Sequence, residues 1–357
     1  MSQYLFPVSK TQKILPKYLD IGLKNIKSCA TGEHNGFIYF GITVENENKL
    51  YIKKIDSKTR KLSDICVLDE EIEYIKNNPS LLIDENHIYY VRNYLPYSDG
   101  FTVCCVSLSD NSVSEYKSEH TIYQSGSETS SRDQIVKICW VNDNTIVIPH
   151  FYGLTFFDTD THVFTKKPLA SWSRTYISVG TNTIMCHHGD CRGYDNDCPI
   201  IYHIGDINFK YDAIDLPSKK EDNDIQLSIY TNGIYYIAQT NYLHLYSESR
   251  NIVEKSINIP WQPNSITYSN GRIFATQWGE GKEDVLYIYD IYKETYSTIR
   301  LHWKIPNINV RIYDNSLIQN SLIQPLSYMN TLYIPYKSLG VIDFNETQKY
   351  KFGSKIK

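Results

Sequence analysis

The sequence predicts an all-β protein, a seven-bladed β-propeller of four-stranded antiparallel blades. Three observations carry this expectation. Helical periodicity is almost absent from the 357 residues; short runs rich in Ile, Val, Tyr and Phe alternate instead with Asn, Asp, Gly and Ser. A turn carrying Asn precedes a strongly apolar run seven times. The markers Asn35, Asn86, Asn144, Asn182, Asn232, Asn270 and Asn330 lie 51, 58, 38, 50, 38 and 60 residues apart. Four antiparallel strands with their turns need roughly 40 to 50 residues, the length of one blade.

Each marker opens the second strand of its repeat: FIYFGI after Asn35-Gly36, HIYYV after Asn86, TIVIP after Asn144, TIMC after Asn182, IYYIA after Asn232-Gly233, RIFAT after Asn270-Gly271 and TLYIP after Asn330. Asn and Gly tolerate the left-handed backbone of hairpin turns, which gives the recurrence a cause. A variable loop leads to an apolar third strand: KLYIKKID, FTVCCVSL, LTFFD, IIYHIGD, YLHLYS, VLYIYD and GVIDF. Most of these end in an acidic or polar turn, such as Asp56 to Thr59 or Asp158 to Thr161, and a more polar fourth strand follows. Reading backwards from the markers gives first strands at SLLID, IVKICWV, TYISVG, QLSIYT and SITYS.

In period and strand order the pattern resembles the kelch and WD families of β-propellers over about residues 26 to 352. The expected organisation is one domain, 1–357, with seven blades over 26–352 and residues 1–25 as a ring-closing segment. YLFPVSKTQKILPKYL reads as a polar turn with a strand on either side, which would pair with the last blade and cover an exposed sheet edge.

A formal charge of -4 gives no basic excess, so neither nucleic acid nor an anionic membrane is an expected partner. The N-terminus carries no signal-peptide pattern, and no run approaches the ~18 apolar residues of a membrane helix. Eight cysteines are present, five of them within apolar strand patterns. These features point to a cytoplasmic, monomeric protein with no cofactor.

Loops between second and third strands lie on one face of a propeller, together with the links from blade to blade, and loops on a rigid scaffold carry function. Here these loops carry Tyr94, Tyr97, His150, Phe151, Tyr152, His188, Arg192, Tyr194, Tyr242, Trp278 and Tyr336. The links add Trp172, Arg174, Trp261 and Trp303. Exposed aromatics beside Arg are the usual anchors of binding sites. Cys186, His187, His188, Cys191 and Cys198 bring thiolates and imidazoles together, but intervals of four and six residues match no standard zinc site, so no metal is expected. The acidic run Asp69-Glu70-Glu71-Ile72-Glu73 reads as a solvated link between blades. No nucleophile elbow, phosphate loop or His-Glu-x-x-His occurs.

The resemblance to kelch and WD propellers implies a substrate receptor or assembly platform. The expected function is therefore a non-enzymatic scaffold that holds a protein or peptide on its aromatic loop face. The alternative is a propeller enzyme of hydrolase or lyase type, with its site at the mouth of the central channel.

Overall fold

A computed structural model describes residues 12–14, 17–19, 21–24, 26–44, 46–56, 58–59, 61–70, 81–93, 101–118, 138–150, 153–168, 176–187, 199–206, 210–217, 227–259, 261, 263, 265–269, 271–277, 285–301, 326–328, 331–336 and 338–343. Among them the strands form six four-stranded antiparallel sheets and one five-stranded sheet. The architecture is all-β and propeller-like in its repeat. Two compact units divide the chain, Gly22–Ala213 on one side and Met1–Ile21 with Ile214–Lys357 on the other.

The N-terminus supplies two short strands, β1 (Gln12–Ile14) and β2 (Lys17–Leu19). In the Gly22–Ala213 unit the first sheet is β3 (Ile26–His34), β4 (Phe37–Val44), β5 (Lys49–Asp56) and β6 (Leu62–Asp69). The second is β7 (Leu82–Ile83), β8 (His87–Asn93), β9 (Phe101–Ser107) and β10 (Val113–Lys117). The third is β11 (Cys139–Asn142), β12 (Thr145–His150), β13 (Gly153–Asp158) and β14 (Phe164–Pro168). The fourth is β15 (Tyr176–Val179), β16 (Thr183–His187), β17 (Ile200–His203) and β18 (Tyr211–Ala213). Strands pair in chain order within each of these sheets.

In the other unit, β19 (Leu227–Thr231), β20 (Ile234–Gln239), β21 (Tyr242–Ser247) and β22 (Ile252–Asn258) form the fifth sheet. The sixth contains β23 (Ser265–Ser269), β24 (Arg272–Gln277), β25 (Val285–Asp290) and β26 (Thr295–Leu301), with β1 added in parallel on β26. In the seventh, β27 (Leu326–Tyr328), β28 (Thr331–Tyr336) and β29 (Ser338–Asp343) are completed by β2, antiparallel to β29.

The polarity gradient along each repeat follows from this stacking. Among the described side chains, second strands β4 and β16 and third strand β9 are buried almost throughout. Outermost strands β6, β10 and β22 expose much of their length. The cores lie between neighbouring sheets. Ile52, Leu81, Ile83 and Tyr90 join the first to the second. Tyr89, Phe101, Ile146 and Phe157 join the second to the third. Leu154, Ile184 and Tyr202 join the third to the fourth. Tyr236, Leu243, Trp261 and Tyr287 join the fifth to the sixth. Each fully buried side chain of this size contributes about 1.5–3 kcal/mol.

Two of the marker turns take the left-handed backbone that the sequence suggests, while the described markers Asn86, Asn144 and Asn182 do not. Asn35 and Gly36 both take positive φ (46° and 81°), as do Asn232 and Gly233 (52° and 78°), the signature of a two-residue hairpin turn. At Asn86 a different chemistry does the same work. The Asp84 carboxylate accepts the N–H groups of Asn86 and His87 at 2.7 and 2.6 Å. One further bond recurs in five sheets. The carbonyl just before the second strand accepts the N–H just after the third: Leu108 to Asn86, Thr159 to Asn144, Ile204 to Asn182, Glu248 to Gly233 and Ile291 to Gly271, at 2.7–3.1 Å. It ties the two turns at that end of the sheet together. The acidic turn then caps itself: Asp56 Oδ1 accepts from Lys58 and Thr59, and Asp158 Oδ1 from Asp160 and Thr161. These donors hold both carboxyls below their usual range.

Candidate functional site

At the opposite end of each sheet the second strand passes to the third, and there strand register fixes where each connection begins. Asn93 stands opposite Phe101, His150 opposite Gly153, and Cys186 opposite Ile200. Gln239 stands opposite Tyr242, Gln277 opposite Val285, and Tyr336 opposite Ser338. The connections thus spring from paired strand ends and differ in length from one residue (337) to more than ten (188–199).

Two polar assemblies brace this end. The first joins the first and second sheets. Glu70, the residue after β6, is 5% exposed, and its amide donates to Asn48 O at 3.1 Å. Arg92 Nε donates to Glu70 Oε2 at 2.9 Å, Arg92 Nη2 donates to Glu70 Oε1, and Arg92 Nη1 donates to Glu115 Oε1 at 2.9 Å. Tyr90 Oη donates to Glu70 Oε1 as well. Burial works against the Arg92 charge, but the bonds to Glu70 and Glu115 outweigh it and raise its pKa. Burial, with the Cys104 and Glu70 charges, raises that of Tyr90. A planar guanidinium gripping a carboxylate with two donors is a rigid joint. It sits at the roots of connections 71–80 and 94–100. The acidic run was expected to be solvated; Glu70 departs from that, because its charge is matched by a residue 22 positions away.

The second assembly is built on Trp261. Its indole N–H donates to the carbonyls of Gln239 and Tyr242 at 2.9 and 3.0 Å. Asn241, with φ 63°, donates its amide to Trp261 O and accepts from Ile259 N–H, both at 3.0 Å. The ring stands edge-on to Tyr287 at 6.1 Å and 88°. At 1% exposure Trp261 is a core residue that locks the Gln239–Tyr242 turn, not an exposed anchor. Its size favours burial once both neighbouring strands offer carbonyls to its single donor.

Tyr242 is half-buried and stacks on His244 at 5.6 Å and 12°. His150 and Tyr336 are the last residues of β12 and β28. Tyr94, Tyr97, Phe151, Tyr152, Trp172, Arg174, His188, Arg192, Tyr194, Trp278 and Trp303 lie outside the described residues, with Cys191 and Cys198. Of the five metal candidates, Cys186 and His187 are described. Both are buried in β16, and burial pushes the Cys186 thiol far up. Among the described residues no group of three or more His, Cys, Asp or Glu is placed to hold a metal ion, and no helix is long and apolar enough to cross a membrane. Sequence reasoning missed Glu70, Tyr90 and Arg92; the one local signal was a lone Arg in the apolar strand HIYYVRN.

No family model matches the chain, and no curated protein matches it. Solved structures do. The extracellular domain of BT4673 from B. thetaiotaomicron is 14% identical with a TM-score of 0.55, over 93% of this chain and 40% of that one. This chain therefore spans about two fifths of that structure. Protein lmo1340 from Listeria monocytogenes EGD-e is 13% identical with a TM-score of 0.51, over 94% and 95% of the two chains. BamB from Moraxella catarrhalis follows at 9% identity and a TM-score of 0.43, over 71% and 82%. At these identities the likeness to BT4673 and lmo1340 concerns the fold alone.

Proposed function

We propose that the chain is a non-enzymatic scaffold that binds a protein or peptide partner through the connections between second and third strands. In this reading the sheets are the seven blades of one kelch- or WD-like propeller, and the N-terminal segment closes it. One observation carries the reading: connections of unlike length and aromatic-rich sequence spring from paired strand ends, braced by Glu70–Arg92 and by Trp261. Rigid roots under variable loops lower the entropy lost on binding. We place the scaffold in a reducing, cytoplasmic setting, where buried thiols such as Cys104, Cys105 and Cys186 stay reduced. Burial pushes Cys104 up to about 12 and Cys105 to about 11, which disfavours the thiolate near neutral pH.

The test is affinity purification of the tagged chain from its own cells beside a Tyr152→Ala/Trp278→Ala double variant. Stoichiometric partners retrieved by the wild type and lost from a folded double variant are the expected result. A folded wild type that retrieves nothing reproducible removes the scaffold reading.

A further inference from the structure

The N-terminal residues occupy the outer edges of two sheets in the same unit. β1 runs parallel to β26, with Gln12 opposite Ile299, Lys13 opposite Arg300 and Ile14 opposite Leu301. β2 runs antiparallel to β29, with Lys17 opposite Val341, Tyr18 opposite Gly340 and Leu19 opposite Leu339. Residues 15 and 16 alone separate the two strands in sequence. Two registers of opposite sense, on two sheets, thus recognise one short stretch of chain. Among the described residues β26 is the fourth strand that carries a fifth; β6, β10, β14, β18 and β22 end their sheets.

Strand addition to an open edge draws its affinity from backbone pairing and its selectivity from side-chain register. An edge that takes a strand from its own chain takes the same strand from another copy, since every pairing group is identical. Two further features favour exchange. Each contact is three residues long, against six paired positions in β24–β25 and β28–β29, and short terminal elements open first. Beyond β2 lies Gly22, at φ 71°, where an added Cβ would meet nothing within 4 Å; the chain can turn there in more than one direction.

We propose that the outer edges of β26 and β29 form a strand-acceptor site whose partner is the N-terminal stretch, residues 12–19, of a second copy. When dilute, the stretch closes on its own chain. At high concentration two copies trade it and form a strand-exchanged dimer.

The register supplies the test. In the full chain, a Lys17→Cys/Val341→Cys variant oxidised when dilute gives a cross-link within one chain. A tagged Lys17→Cys chain mixed with an untagged Val341→Cys chain, concentrated and then oxidised, gives a disulfide between the two. The tagged band shifts to the mass of two chains, and does so beyond either single variant oxidised alone. Cross-linking of the double variant within one chain, with no shift of the mixed pair above those controls at any concentration, overturns exchange. Failure of the double variant to cross-link overturns the pairing, and exchange with it.

Discussion

Arg92 reaches from β8 across a sheet boundary to Glu70, its Nε donating to Glu70 Oε2 at 2.9 Å, while its other face holds Glu115. The Arg92 side chain is 15% exposed and the Glu70 side chain 4%. The pair ties the residue that follows β6 to the end of β8, so its value lies in position as much as in stability.

Glu70→Gln should therefore destabilise the protein by about 3 kcal/mol, the usual loss when one partner of a buried pair is removed and the other stays charged. Urea denaturation reads this as a lower midpoint at unchanged slope. Pairing Glu70→Gln with Arg92→Leu should recover part of the loss, because no buried charge is then left unmatched. A double variant whose loss equals the sum of the two singles contradicts the pairing.

Trp261→Phe keeps most of the apolar bulk and deletes the indole donor. The carbonyls of Gln239 and Tyr242 lose that partner, and the cost is about 1–3 kcal/mol. Trp261→Ala adds a cavity and should cost about 3–5 kcal/mol. Thermal unfolding of both variants should show this order, with Trp261→Phe the milder.

Gly32 shows how closely the first two sheets approach. A Cβ there would stand within 3.0 Å of the Leu81 carbonyl oxygen and of Ile83 Cδ1, and Leu81 N–H donates to Thr31 O at 2.9 Å beside it. Gly32→Ala must push β7 away from β3 and should cost about 1–3 kcal/mol, as overpacking does. Gly205→Ala, where an added Cβ meets nothing within 4 Å, is the control and should leave the midpoint nearly unchanged.

Acid should weaken the fold in two stages. Burial lowers His244 to about 4, while its Nδ1 stays 2.7 Å from Ser256 Oγ. The unfolded imidazole takes a proton near pH 6.5. Between those values the unfolded state binds more protons, so stability present above pH 6.5 is lost as pH falls toward 4, by roughly 3 kcal/mol. Below that, Asp56, Asp110 and Asp158 contribute in the same sense. Backbone donors lower each of them, so their stabilisation holds above the ordinary carboxylate range and fades as pH falls through their folded values. Stability curves of His244→Gln should be flatter between pH 4 and 6.5 and should keep the lower stage.

Much of the fold is legible because its causes are local. Asn35-Gly36 and Asn232-Gly233 announce hairpins through their own backbone preferences, and β4 and β9 announce burial through dense apolar runs. β3 announces neither: IKSCATGEH contains Gly32, Glu33 and His34, and its place comes from eight paired positions with β4 and from the close approach to Leu81. β1 is three residues long and sits on the sixth sheet, not the last, through a parallel pairing that no short pattern encodes. Glu70 reads as solvent-exposed beside Glu71, because the Arg92 that neutralises it lies 22 residues on. Trp261 reads as a surface anchor between Pro260 and Pro263, because the carbonyls that bury it belong to the previous hairpin.

The most direct test of recognition through the strand connections is hydrogen exchange on the full chain, with and without a stoichiometric partner retrieved from its own cells. The account predicts slower exchange on binding at 94–100, 151–152, 188–199 and 278–284, with the turns at 57–61 and 159–163 unchanged. Slower exchange confined to those turns would place the partner at the opposite ends of the sheets and contradict it.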